Sequence, residues 1–267
     1  MKKECENCQI LKNIKNYTKI DYTIALVGNP NVGKSTLFNY LTGMNVRVGN
    51  WPGKTVSKIE GFFEFKTPDN KYVFKIIDLP GVYSIFSFTP EEEVTRNFLF
   101  LGSYDIALIV LDATNLEKNL ILVFQTFDIT SKVILALNLI DEAKRKGIII
   151  DIEKLESKLK VPIIPIIAST GYNTNLLIYK ALEIIQGKIT ITPAKYTQPP
   201  ELEQIIEELK QEILEYYPEL QNHPAIKWII LRILEGDKFI IEMIRKKAIK
   251  ISSSQNIKTK SPDLLII

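Results

Sequence analysis

Nine consecutive residues, Gly28-Asn29-Pro30-Asn31-Val32-Gly33-Lys34-Ser35-Thr36, set two glycines, a lysine and a hydroxyl at the spacing of a phosphate-cradling loop. Backbone N–H groups of such a loop, gathered at a helix start, form a hollow that attracts phosphate oxygens. Lys34 has the length to reach the β- and γ-phosphates, and the Ser35 hydroxyl completes a Mg²⁺ shell. A bound nucleoside triphosphate is the expectation. Two tetrapeptides follow in the order that a phosphate-sensing switch needs. Asp78-Leu79-Pro80-Gly81 offers a carboxylate that holds Mg²⁺ through water and a glycine N–H for the γ-phosphate. Asn138-Leu139-Ile140-Asp141 brings both its polar side chains to a strand end, where Asp141 can accept from N1–H and the exocyclic amine of guanine. Adenine leaves that carboxylate unpaired, so guanine is the expected base. Ala168-Ser169-Thr170 is placed to touch the base through backbone N–H, although Ser and Thr after a strand also make plain turns. Asn31 admits two readings: its amide oxygen ligates a monovalent cation beside the phosphates, or it braces the loop by hydrogen bonds. The residues alone leave both open. Val82 follows Gly81 where many such switches carry a water-orienting glutamine, so intrinsic hydrolysis is expected to be slow.

These groups need strands to deliver them. Strand-like runs read at 22–27, 59–65, 72–77, 106–111, 133–137 and 163–167, alternating with helical patterns at 34–41, 91–100, 120–130, 152–159 and 175–185. Thr89-Pro90-Glu91-Glu92 is a helix start, with a capping hydroxyl, proline in the first turn and acidic residues after it. Nearly continuous apolar strands between helices imply an α/β fold with a mainly parallel sheet covered on both faces. The short connection Thr67-Pro68-Asp69-Asn70 makes a hairpin, so one edge strand runs antiparallel. Ligands bind at the carboxyl edge of such a sheet.

Residues 21–190 therefore read as the nucleotide domain. Thr192-Pro193 and Gln198-Pro199-Pro200 mark a linker, and 191–250 reads as a small all-α domain with helices at 201–217, 225–234 and 238–249. Ile205, Leu209 and Ile213 are expected on the buried face of the first. Residues 251–267 form a tail. A net charge of +3 is too small to argue for nucleic acid, and no apolar run approaches the ~20 residues of a membrane helix. No signal peptide is visible in the polar start. Cys5 and Cys8 in the 1–20 extension have Cys-x-x-Cys spacing, but no second pair completes a metal site, and His223 is the only histidine. They read as an unliganded tail, with an iron- or zinc-binding half-site as the alternative. Two thiols and no further cysteine fit a cytosolic setting.

The phosphate loop, Gly49-Asn50-Trp51-Pro52-Gly53-Lys54-Thr55-Val56 and Asp78-Leu79-Pro80-Gly81-Val82-Tyr83-Ser84 together resemble the cytosolic GTPase domain of the ferrous-iron transport protein B family, FeoB. Residues 227–237, Lys-Trp-Ile-Ile-Leu-Arg-Ile-Leu-Glu-Gly-Asp, resemble the helical domain that follows it and slows GDP release. The resemblance spans about residues 21–250. It implies a Ras-like P-loop GTPase with Thr55 closing over Mg²⁺ and the γ-phosphate, Gly53 in the nucleotide-binding stretch, and a K⁺ held by Asn31 with carbonyls near Gly49 and Trp51. It also implies GTP hydrolysis coupled to Fe²⁺ uptake through a membrane-embedded channel portion absent here, homo-oligomer formation through that portion, and a place on the cytoplasmic side of the membrane. The lysine common in the guanine motif of other GTPases is missing, which implies modest nucleotide affinity and quick exchange. The alternative reading is a ribosome- or RNA-associated P-loop GTPase, although the helical part shows no RNA-binding signature.

Overall fold

The sequence turns on a handful of long apolar strands, and these form one buried sheet. The structure, a computed structural model, describes residues 17, 19–43, 45–86, 89–195, 198–221, 223 and 225–245. The Cys5–Cys8 extension and the 251–267 tail lie outside the described residues. The chain divides into two units, 1–196 and 197–267.

The first unit carries β1 (Tyr22–Gly28), α1 (Lys34–Thr42), β2 (Val46–Asn50), β3 (Ser57–Lys66), β4 (Lys71–Asp78) and α2 (Pro90–Leu101). It continues with β5 (Ile106–Asp112), α3 (Leu116–Ile129), β6 (Val133–Asn138), α4 (Ile140–Arg145), α5 (Ile152–Leu159), β7 (Ile163–Pro165) and α6 (Thr174–Ile185). Seven strands form one sheet in the order β2-β3-β4-β1-β5-β6-β7. Pairings from β4 through β1, β5 and β6 to β7 are parallel. Ile24–Val27, Ile106–Leu111 and Val133–Leu137 are wholly buried, as strands covered on both faces must be. Leu37 and Phe38 of α1 and Leu177, Ile178 and Ala181 of α6 pack into the same core.

β3 is the reversed strand, antiparallel to β4 across a turn in which Thr67 N–H donates to Asn70 O at 2.8 Å. A strand that no sequence pattern announces, β2, pairs antiparallel outside it. Its residues are largely exposed, so it has no apolar alternation. The short helix α4 is likewise additional to the sequence reading, and the 163–167 strand is shorter than expected, ending at Pro165. At α2 the expected start is present in full: Thr89 Oγ1 accepts from Glu92 N–H at 3.2 Å, Glu92 accepts in return from Thr89 N–H, and Pro90 opens the helix.

In the second unit, α7 (Pro200–Tyr216), a 3₁₀ turn (Pro218–Leu220), α8 (Ile226–Leu234) and a helix α9 over 238–245 follow one another. The inward stripe of α7 is Leu202, Ile206, Leu209 and Ile213, while Ile205 is 47% exposed. The expectation for Ile205 is thus corrected, because the 202-206-209-213 spacing keeps helical phase and 205 falls beside it. Lys227 of α8 donates to Glu203 of α7, holding that carboxyl below its usual range.

Candidate functional site

Four parallel strands end at one edge of the sheet, and register brings their last residues side by side. Leu26 faces Asp78, Gly28 faces Val110 and Asp112 faces Asn138 across the ladders. The phosphate-loop residues, the Asp78 motif and the Asn138 motif are thereby gathered from positions more than a hundred residues apart. This is the carboxyl edge where open α/β sheets bind ligands.

Beyond Gly28 the chain turns through Asn31 (φ 65°) and Gly33 (φ 85°), both left-handed, before α1 begins. The N–H groups of residues 31–36 donate to no acceptor among the described residues, so a row of bare amides faces the helix start. Gly33 is required twice over: its φ is unfavourable for other residues, and a Cβ there would lie 2.2 Å from Asn138 Nδ2. Lys34 and Asp78 are both 8% exposed, and the Lys34 ammonium donates to Asp78 Oδ1. Burial pushes the Asp78 carboxyl above its ordinary range, and the lysine opposes that push. Ser35 and Thr36 are exposed at the first turn of α1. The Asn31 amide is exposed and has no protein partner among the described residues. Asn29 is buried with both amide atoms unpartnered. Pro30 is half-buried and Val32 buried.

Asn138, 1% exposed, ties the edge together. Its Nδ2 donates to Val32 O at 2.9 Å, and its Oδ1 accepts from Ala168 N–H at 2.9 Å. Ala168 is therefore committed to Asn138, and Thr170 N–H donates to Ile167 O at 3.2 Å. Of the three amides expected to meet a base, Ser169 is the one left free, because the Asn138 side chain takes the first and the tight turn after β7 takes the third. Leu139 turns left-handed (φ 61°) and sets Asp141 in the first turn of α4, where its Oδ1 is buried without a partner.

Gly81 passes close to the phosphate loop, its Cβ position 3.3 Å from the Pro30 backbone. Val82, 3% exposed, turns into the core, and its N–H donates to Gly28 O at 3.3 Å. Gly49 lies in β2, Gly53 adopts a left-handed turn (φ 69°), and Thr55 is exposed. Trp51 O accepts from Lys54 N–H at 3.0 Å. Sequence reasoning missed the partners that hold these segments. Thr95 Oγ1 donates to Pro80 O at 3.2 Å, and Lys54 pairs with Glu93 at 2.7 Å. Asn119 accepts from Asp112 N–H at 3.0 Å, steadying the loop after β5. All three sit on helices that no motif spacing links to the loops.

A sequence profile of the family described as ferrous iron transport protein B matches residues 22–181. The Fe(2+) transporter FeoB of Campylobacter jejuni is 41% identical over 206 residues, covering 74% of this chain and 33% of its own length. That of Helicobacter pylori strain 26695 is 44% identical over 173 residues, covering 64% and 26%. The chain thus spans about a third or less of the curated relatives it matches. Among solved structures, the cytosolic domain of L. pneumophila FeoB superposes with a TM-score of 0.73 at 35% identity, over 88% of this chain and 90% of that one. The G domain of T. maritima FeoB gives 0.57 at 40% identity, over 61% and 98%. An S. thermophilus NFeoB mutant bound to GDP gives 0.72 at 32% identity, over 88% and 90%.

Proposed function

This chain belongs to the ferrous iron transport protein B family, and we propose that it is the GTP-binding and GTP-hydrolysing portion of an Fe²⁺ uptake transporter. One arrangement carries the reading: bare amides at 31–36 and an unpartnered Asp141 oxygen stand on the same sheet edge. The amides suit phosphate oxygens, and the orphaned carboxylate suits the paired donors of guanine. An S. thermophilus NFeoB mutant that matches 88% of this chain is bound to GDP, which supports the same ligand here.

Each residue then has a chemical task. Lys34 leaves Asp78 to neutralise β- and γ-phosphate oxygens, and the amides around Gly33 hold those oxygens in place. The oxygen donors of Ser35, Thr55 and Asp78 suit Mg²⁺, which supplies charge neutralisation at the phosphates. Gly81 N–H, which has no acceptor among the described residues, donates to the γ-phosphate. Asn138 fixes the loop against the base site. The exposed amide of Asn31, with the Gly49 and Trp51 carbonyls, suits K⁺, whose charge does for the transition state what an arginine does in other switches. Because Val82 is buried, no side chain at that position orients the attacking water, and unassisted turnover is slow.

In the whole transporter this portion lies on the cytoplasmic face, joined to a membrane-embedded channel through which oligomers form. The helices of 197–245 slow GDP release. No helix among the described residues is long and apolar enough to cross a membrane. The RNA-associated alternative finds no support in the matches above.

The test is calorimetry of GDP against ADP with saturating Mg²⁺, followed by GTP turnover in K⁺ and in Na⁺. Preference for GDP by 100-fold or more is expected, on the order of several kcal/mol of discrimination. Faster turnover in K⁺ and loss of turnover in Lys34→Ala complete the expectation. Equal affinity for ADP would end the guanine assignment.

A further inference from the structure

Residues 80–86 form no regular element, yet their side chains alternate sharply. Val82 and Ile85 are 3% and 2% exposed, whereas Tyr83 and Phe86 are 62% and 43% exposed. Without a ladder or helix, the register of this segment depends on individual bonds. Two of them fall beside the site: Thr95 to Pro80 O, and Val82 N–H to Gly28 O. The third comes from α3. Gln125 Oε1 accepts from Ile85 N–H at 2.9 Å, and Gln125 Nε2 donates to Ser84 Oγ at 3.3 Å. One amide thus closes on two successive residues from a helix 40 positions away in sequence.

We propose that Gln125 is a positioning residue for GTP hydrolysis, acting through this two-point hold on Ser84–Ile85. The inference rests on the reading that the site hydrolyses GTP. Gly81 N–H carries the γ-phosphate contact, and a glycine has no side chain of its own to fix its place. Its position is set by what holds the chain on either side. Pro80 and Val82 are held at the site itself. The span after Val82 is held by Gln125, without which Ile85 N–H loses its acceptor and the turn drifts. A donor contributes to catalysis only when it already stands where charge develops. Loosening 84–85 therefore lowers the rate of the chemical step while leaving the base and the α- and β-phosphate contacts intact.

The chemistry of the amide separates this role from simple packing. Gln125→Met keeps the length and loses both bonds. Gln125→Glu keeps an oxygen for Ile85 N–H and turns the second contact round, with the Ser84 hydroxyl now donating to the carboxylate. Turnover at saturating GTP is expected to fall about fivefold in Gln125→Met and to return most of the way in Gln125→Glu, with GDP affinity within about twofold of wild type in both. Ser84→Ala, which removes only the longer bond, is expected to fall less than Gln125→Met. Wild-type turnover in Gln125→Met overturns the inference. So does an equal loss in the Met and Glu variants, or a loss of GDP affinity parallel to the loss of rate, either of which marks a structural role. A wild-type protein that binds GDP but never turns GTP over overturns the hydrolysis reading, and this inference falls with it.

Discussion

Asp141 and Asp78 are two carboxylates at one sheet edge, and their surroundings give them different tasks. The buried Oδ1 of Asp141 has no partner in the protein, a cost of about 1–3 kcal/mol unless a ligand donor meets it. Asp141→Asn turns one acceptor into a donor. It is expected to weaken GDP by about 100-fold and to favour xanthosine diphosphate, whose carbonyl replaces the guanine amine. Competition calorimetry reads both changes, and unchanged GDP affinity would refute the base contact. Asp78 differs because it is paired with Lys34 and its pKa is raised, chiefly by burial. Its folded form holds the proton more tightly than the unfolded chain does. Its contribution to folding is therefore fully present below the ordinary 3.8 and is lost as pH climbs from there through the raised value. Mg²⁺ needs the ionised form, so the Mg²⁺-dependent part of GDP affinity is expected to fade as pH drops from neutrality toward that window. The fading begins higher than for an ordinary aspartate. In Asp78→Asn the Mg²⁺-dependent part is expected to be absent at every pH.

Among elements, the segment 46–58 is held to α2 by contacts of unequal worth. Lys54 and Glu93 form their ion pair with about a third of each side chain exposed, which limits it to about 1 kcal/mol or less. Trp51 meets the edge of Phe98 at 5.3 Å between ring centres, with the Lys58 ammonium 5.1 Å from the Trp51 ring. An aromatic pair adds about 0.5–1.5 kcal/mol beyond the area it buries. Trp51→Ala is therefore expected to destabilise the fold by more than Lys54→Ala in urea unfolding. The double swap Lys54→Glu with Glu93→Lys is expected to recover what either single swap loses. Equal losses for Trp51→Ala and Lys54→Ala would show that the ion pair holds this segment as firmly as the rings. The same elements show why parts of the fold escaped the sequence. β2 is an exposed edge strand, so no periodicity marks it. α4 has six residues and buries Ala143 alone, too little for an apolar stripe to mark it. The α2 start was legible because its cap, proline and acidic residues are all local.

At the scale of the molecule, each candidate site residue lies in the first of two units. The solved G domain of T. maritima FeoB matches 61% of this chain over 98% of its own length. A fragment of residues 1–196 is accordingly expected to unfold in one cooperative transition and to bind GDP, with faster release than the full chain. Stopped-flow displacement of a fluorescent GDP measures that release, and equal rates would deny the second unit its role. The amino-acid order by itself determined the phosphate loop, the two motifs after it and the parallel core that presents them. Those features depend on local spacing and on apolar runs, which physics reads without knowing the partner strand. It could not determine that Asn138 occupies Ala168 N–H, that Lys34 rests on Asp78, or that Gln125 grips Ile85. Those bonds join residues 30 to 44 positions apart, and their geometry exists only once strand register has brought the chain ends of the sheet together.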